Sequence, residues 1–139
     1  MELLTELRQN VSEANRILNI VEFDRQAKLI NRFSECLEKR IKHCSKTSAT
    51  SFSSLIEDVI ILTREEQDTL KKDFDNLFNP EYRKIDNYWF MTNKDKFNFE
   101  NIWETHKTNR FEGLNISFTD GTPNNCRERF LWIKVDWSL

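Results

Sequence analysis

Phe130-Leu131-Trp132-Ile133-Lys134-Val135-Asp136-Trp137 decides the fold of this chain. Leu131, Ile133, Val135 and Trp137 fall at alternate positions, which in an extended strand places all four on one face. That face requires a core to cover it. The opposite face carries Phe130 and Trp132 and then Lys134 and Asp136, apolar at one end and polar at the other. Residues 113–119 alternate in the same way, with Leu114, Ile116 and Phe118 against Asn115, Ser117 and Thr119. Between the two runs lies Asp120-Gly121-Thr122-Pro123-Asn124-Asn125, too long for a two-residue hairpin loop but suited to a wider connection. A C-terminal antiparallel β unit follows.

Upstream of this unit, residues 81–139 are rich in aromatics, among them Tyr82, Tyr88, Trp89, Phe90, Phe97, Phe99, Trp103 and Phe111. Residues 87–91 read as a strand and Asn93-Lys94-Asp95-Lys96 as a turn. Residues 97–107 fit either period: Phe97 and Phe99 alternate like a strand, whereas Phe99, Ile102, Trp103 and His106 suit a helical turn, so a short strand or loop leading into a helical turn is expected.

Residues 1–80 are built differently. Leu4, Leu7, Val11, Ala14, Leu18 and Val21 recur at steps of three and four, the seam of an amphipathic helix. The seam is under three heptads long, so packing against a neighbouring helix of the same chain is expected. A turn is expected between Asn19 and Asp24, where Phe23 leaves the seam and Asp24 suits an N-cap, with one uninterrupted helix as the alternative. The helical pattern then resumes with Ala27, Ile30, Phe33, Leu37, Ile41 and Cys44 facing inward. Opposite them run Arg25, Lys28, Arg32, Glu35, Lys39, Lys42 and Lys46, of which six are basic.

Residues 46–54 read as a Ser/Thr-rich loop, and Ser54-Leu-Ile-Glu57 and Thr63-Arg-Glu-Glu66 as capping boxes opening two further helices, the second running to about Phe78. Together these signals predict an α+β fold: an N-terminal helical layer of three to four helices (residues 1–80) packed on a small C-terminal antiparallel sheet (residues 81–139), in a single domain of 139 residues.

Composition narrows the function. Only two Gly are present, so a phosphate or dinucleotide loop has almost no material, and no cofactor is expected. The net charge of −2 gives no general attraction for nucleic acid or an anionic membrane, and the N-terminus has neither the basic flank nor the apolar run of a signal peptide. Three cysteines, Cys36, Cys44 and Cys126, form no disulfide-framework spacing and suggest reduced thiols in a cytosolic protein. With His43 and His106 they match no metal-site spacing, and neither His is placed beside a nucleophile, so no catalytic or metal site is expected.

Charge is segregated along the chain. Residues 25–46 carry seven basic and two acidic side chains, a net of +5, and residues 47–80 carry three and seven, a net of −4. These features point to a non-catalytic protein-binding module, of the inhibitor, immunity-type or adaptor kind, that recognises one partner protein by shape and charge. Its candidate contacts are Phe130, Trp132 and Lys134 on the outer strand face, with Arg127 and Arg129 as a polar rim, and the acidic cluster Glu65, Glu66, Asp68 and Asp75. The alternative is a nucleic-acid-associated protein whose basic stripe, Arg25, Lys28, Arg32, Lys39, Lys42 and Lys46, follows phosphates.

Overall fold

The computed structural model describes residues 2–60, 64–65 and 91–138. Helix α1 runs unbroken over Glu2–Lys46, 45 residues or about 67 Å at 1.5 Å per residue. The turn expected between Asn19 and Asp24 is therefore absent. No Gly or Pro interrupts these residues, and ion pairs one turn apart, Glu13–Arg16 and Glu22–Arg25, each at 2.6 Å, run along the helix. The two halves of α1 have different surroundings. Leu29, Ile30, Phe33, Cys36 and Leu37 are buried, whereas Leu4, Leu7, Val11, Leu18 and Val21 are each at least half exposed, so among the described residues the predicted seam is not covered by a neighbouring helix.

After α1 the chain enters strand β1, Ser51–Leu55, where a loop is expected from the Ser/Thr-rich composition. Backbone pairing overrides propensity there: all five residues lie along the central strand in antiparallel register. The Ser54–Glu57 capping box does not form. Helix α2, Ile56–Val59, has an extended Leu55 at its N-cap with no side-chain bond, and the Ser54 hydroxyl donates to the Leu55 carbonyl at 2.9 Å. Of the expected helix over 63–78, only Arg64 and Glu65 fall within the described residues, and both are helical. The expected strand at 87–91 also lies outside them except for Met91, which is not in a strand but packs against the core.

The expected turn at 93–96 is a helix. In α3, Asn93–Phe97, the Thr92 hydroxyl accepts from the Asp95 N–H at 3.2 Å and the Asp95 carboxylate accepts from the Thr92 N–H at 2.9 Å, a complete capping box. The short strand or loop expected at the start of residues 97–107 does not form: Phe97 closes α3, and helix α4, Phe99–His106, follows after Asn98 and buries Phe99, Ile102 and Trp103. A 3₁₀ turn at Asn109–Phe111 leads to strand β2, Asn115–Asp120, and then to β3, Leu131–Asp136.

The fold is α+β: helices laid on a three-stranded antiparallel sheet in the order β1-β3-β2. The organising strand is thus central. Leu131, Ile133 and Val135 are fully buried, and Trp137 packs at the core's edge with its indole N–H donating to the Ala49 carbonyl at 3.0 Å. Much of the aromatic excess is used here. The Phe33 ring lies 4.9 Å from Phe99 and 5.7 Å from Trp103, and Phe118 of β2 completes the cluster edge-on, 5.7 Å from Phe99. No helix among the described residues is long and apolar enough to cross a membrane.

Candidate protein-binding surface

Register fixes which side chains share the sheet's outer face. Across β1, β3 and β2 the rows are Ser51, Asp136, Asn115; then Ser53, Lys134, Ser117; then Leu55, Trp132, Thr119. Seven of these nine are small, polar or charged, so the outer face is low and hydrated apart from its third row. There Trp132 stands 43% exposed on the middle strand. One edge of its ring lies against the hairpin backbone: a Cβ on Gly121 would come within 3.2 Å of both Cδ1 and Nε1 of the indole. Gly121 is the residue that lets the hairpin pass so close to the tryptophan.

The connection that carries Gly121 is held by its own bonds. Gly121 donates to the Phe130 carbonyl at 2.8 Å, and the Phe130 N–H donates to the Thr122 hydroxyl at 3.0 Å, closing the end of the hairpin. Asn125 takes a positive φ of 67°, a conformation Asn tolerates better than most residues. The Thr122 hydroxyl and N–H, aided by Arg129, hold the Asp120 carboxyl below the ordinary carboxylate range.

The remaining proposed contacts divide into three groups. Lys134 is exposed beside Trp132, Phe130 is half-buried, and Arg127 is exposed at the loop. Arg129, by contrast, is only 12% exposed and is engaged within the fold. Its guanidinium donates to the Lys96 and Phe97 carbonyls, both at 2.9 Å, and to Glu100 at 2.8 Å. It therefore caps the C-terminal carbonyls of α3 and pins the loop to the helices. Of the acidic cluster, Glu65 is exposed, and Glu66, Asp68 and Asp75 lie outside the described residues.

The basic stripe is partly diverted inward. Arg25 reaches Asp95, with donor distances of 2.6 and 2.9 Å, and its side chain is largely covered. Arg32 is half-buried, and Lys42 pairs with Glu38 at 3.0 Å, while Lys28, Lys39 and Lys46 stand exposed. The surface left for phosphates is shorter than the sequence suggests.

Two buried charges are not among the candidates that the sequence offers. Asp95 is 1% exposed; burial pushes its carboxyl upward, but the Arg25 guanidinium and the Thr92 N–H outweigh this and hold it below its ordinary value. Lys96 is also buried. Desolvation lowers its ammonium, yet Glu128 at 2.7 Å and Glu57 at 3.5 Å raise it further. The Thr92-x-x-Asp95 spacing is the available signal for the first of these. The cysteines are free: Cys36 lies in the core, and Cys44 and Cys126 are half-buried. Compared with known proteins, the chain matches no family model, no curated protein and no solved structure.

Proposed function

We propose that this protein is a non-catalytic protein-binding module of the cytoplasm, acting as an inhibitor, immunity-type protein or adaptor does, and that Trp132 anchors its partner. The observation that carries this reading is the exposure of Trp132 on the central strand, in a sheet face whose other positions, apart from the half-buried Leu55 beside it, are small, polar or charged. The hairpin covers one edge of the indole and leaves the rest to solvent, and at an interface Trp is among the residues whose removal costs most. The low Ser and Thr neighbours give a partner backbone room to approach the ring, and Lys134 and Arg127 supply a polar rim. Free thiols suit a reducing compartment.

The test is site-specific photocrosslinking in the source cell, with the photoreactive residue at Lys134, followed by affinity measurement on the partner obtained. Trp132→Ala should keep the fold and weaken the complex by about 2 kcal/mol or more. A partner bound equally well by Trp132→Ala overturns the reading.

A further inference from the structure

We propose that the first half of α1 pairs antiparallel with the same segment of a second copy, so that the protein is a homodimer held by a short two-stranded coiled coil. The seam Leu4, Leu7, Val11, Ala14, Leu18, Val21 has the three-four spacing of heptad a and d positions, and all six residues are exposed. It lies roughly a quarter turn around the helix axis from the face that buries Leu29, Phe33 and Leu37, at about 100° per residue. A second helix can therefore lie along the seam without displacing the core. Because α1 is already anchored through its second half, pairing does not have to nucleate a helix.

The spacing of the seam, 3-4-3-4-3, is the same in both directions. Reversed about the point between Ser12 and Glu13, it sets Leu4 against Val21, Leu7 against Leu18 and Val11 against Ala14 of the second copy, so every layer matches an a position with a d position. Flanking positions then bring Arg8 beside Asn15 and Asn10 beside Ile17, with no like charges opposed.

Parallel pairing is worse on two counts. It stacks Ala14 on Ala14, leaving one thin layer, and it carries the same face past Val21 towards the exposed Lys28, Lys39 and Lys42 on both chains. Basic stripe would meet basic stripe. In the antiparallel register Glu2 lies level with Phe23 of the second copy, so the described part of each helix ends before the other's stripe begins. Charge along the helix thus selects the direction.

Sedimentation velocity over a wide concentration range decides the matter, using the full chain, Leu7→Glu, Leu18→Lys and the double variant Leu7→Glu/Leu18→Lys, each checked by circular dichroism for an intact fold. Wild type should form a concentration-dependent dimer, and each single variant should weaken it at least about tenfold by placing an unpaired charge against leucine. The double variant should recover most of the affinity, because only antiparallel pairing sets each introduced carboxylate against an introduced ammonium of the second copy. A double variant weaker than either single variant indicates parallel pairing and overturns the proposal. So does a wild type that stays monomeric to its solubility limit, whether the seam is then covered by another segment of the chain or by a different protein. Trp132 takes no part, so Trp132→Ala should dimerise normally, and a failed dimer leaves the binding-module reading untouched.

Discussion

Arg25 and Asp95 are 70 positions apart in sequence and meet in a two-bonded ion pair, with donor distances of 2.6 and 2.9 Å. The same Asp95 carboxylate accepts the Thr92 N–H that starts α3, so one buried charge both opens a short helix and fastens it to α1. A five-residue helix has little stability of its own, and this contact supplies its orientation.

The pH dependence follows from that pair. A carboxyl whose value is depressed in the folded chain contributes its full stability above the unfolded value of about 4, and loses it as pH falls through the folded value. Wild-type stability should therefore drop steeply below about pH 4. Asp95→Asn should show a shallower acid limb and, at neutral pH, a loss of up to about 3 kcal/mol, the low end for a broken buried pair because Arg25 keeps Glu22. Urea midpoints measured across this range check both.

The core assignment of β3 predicts a sharp contrast between neighbours. Ile133→Ala should cost about 2–5 kcal/mol, and Lys134→Ala should stay within about 0.5 kcal/mol. Equal losses in denaturant melts would contradict the register.

Phe33→Ala removes the ring at the centre of the aromatic cluster, touching Phe99 and Trp103, and should cost about 3–5 kcal/mol. Leu4→Ala, on the same helix but exposed, should leave the melting temperature of dilute protein almost unchanged. Thermal melts of the two variants side by side give the comparison.

Gly121→Ala should move Trp132 without altering it. The added methyl comes within 3.2 Å of the indole, so the ring must shift by a few tenths of an ångström. In protein carrying all four Trp, the indole N–H resonance of Trp132, assigned by NMR, should shift while those of the buried Trp103 and of Trp137 stay in place. Partner affinity should fall in parallel.

The nucleic-acid alternative makes its own prediction. If Lys28, Lys39, Lys42 and Lys46 follow phosphates, wild type should bind DNA or RNA with an affinity that falls steeply with salt, and Lys39→Glu/Lys42→Glu should abolish it. Absence of retention at low salt removes this alternative.

The fold class is legible because its main signals are long and periodic. Alternation over Leu131–Val135 places three side chains in the core, and the three-four spacing of Ile30, Phe33 and Leu37 does the same for α1. Strand β1 is not legible, since Ser51-Phe-Ser-Ser-Leu55 has the composition of a loop and becomes a strand through pairing with residues about 80 positions away. The unbroken α1 is hidden by a change of apolar face at Phe23, which has the look of a turn; the helix instead leaves the core at that point and continues. Of the proposed binding surface, Trp132 and Lys134 can be placed from register alone. The engagement of Arg129 and Arg25 cannot, because it depends on carbonyls and a carboxylate supplied by α3.

The order of strands has a consequence for biosynthesis. Among the described strands β3 alone pairs with both others, yet it is translated after them, so β1 and β2 emerge before the partner they share and wait for it. Assembly of the sheet is therefore a late event, while α1 can form from local contacts as soon as it is made. The waiting strands are only five and six residues long and keep Ser, Thr and Asn on one face, which makes them poor templates for aggregation during that delay.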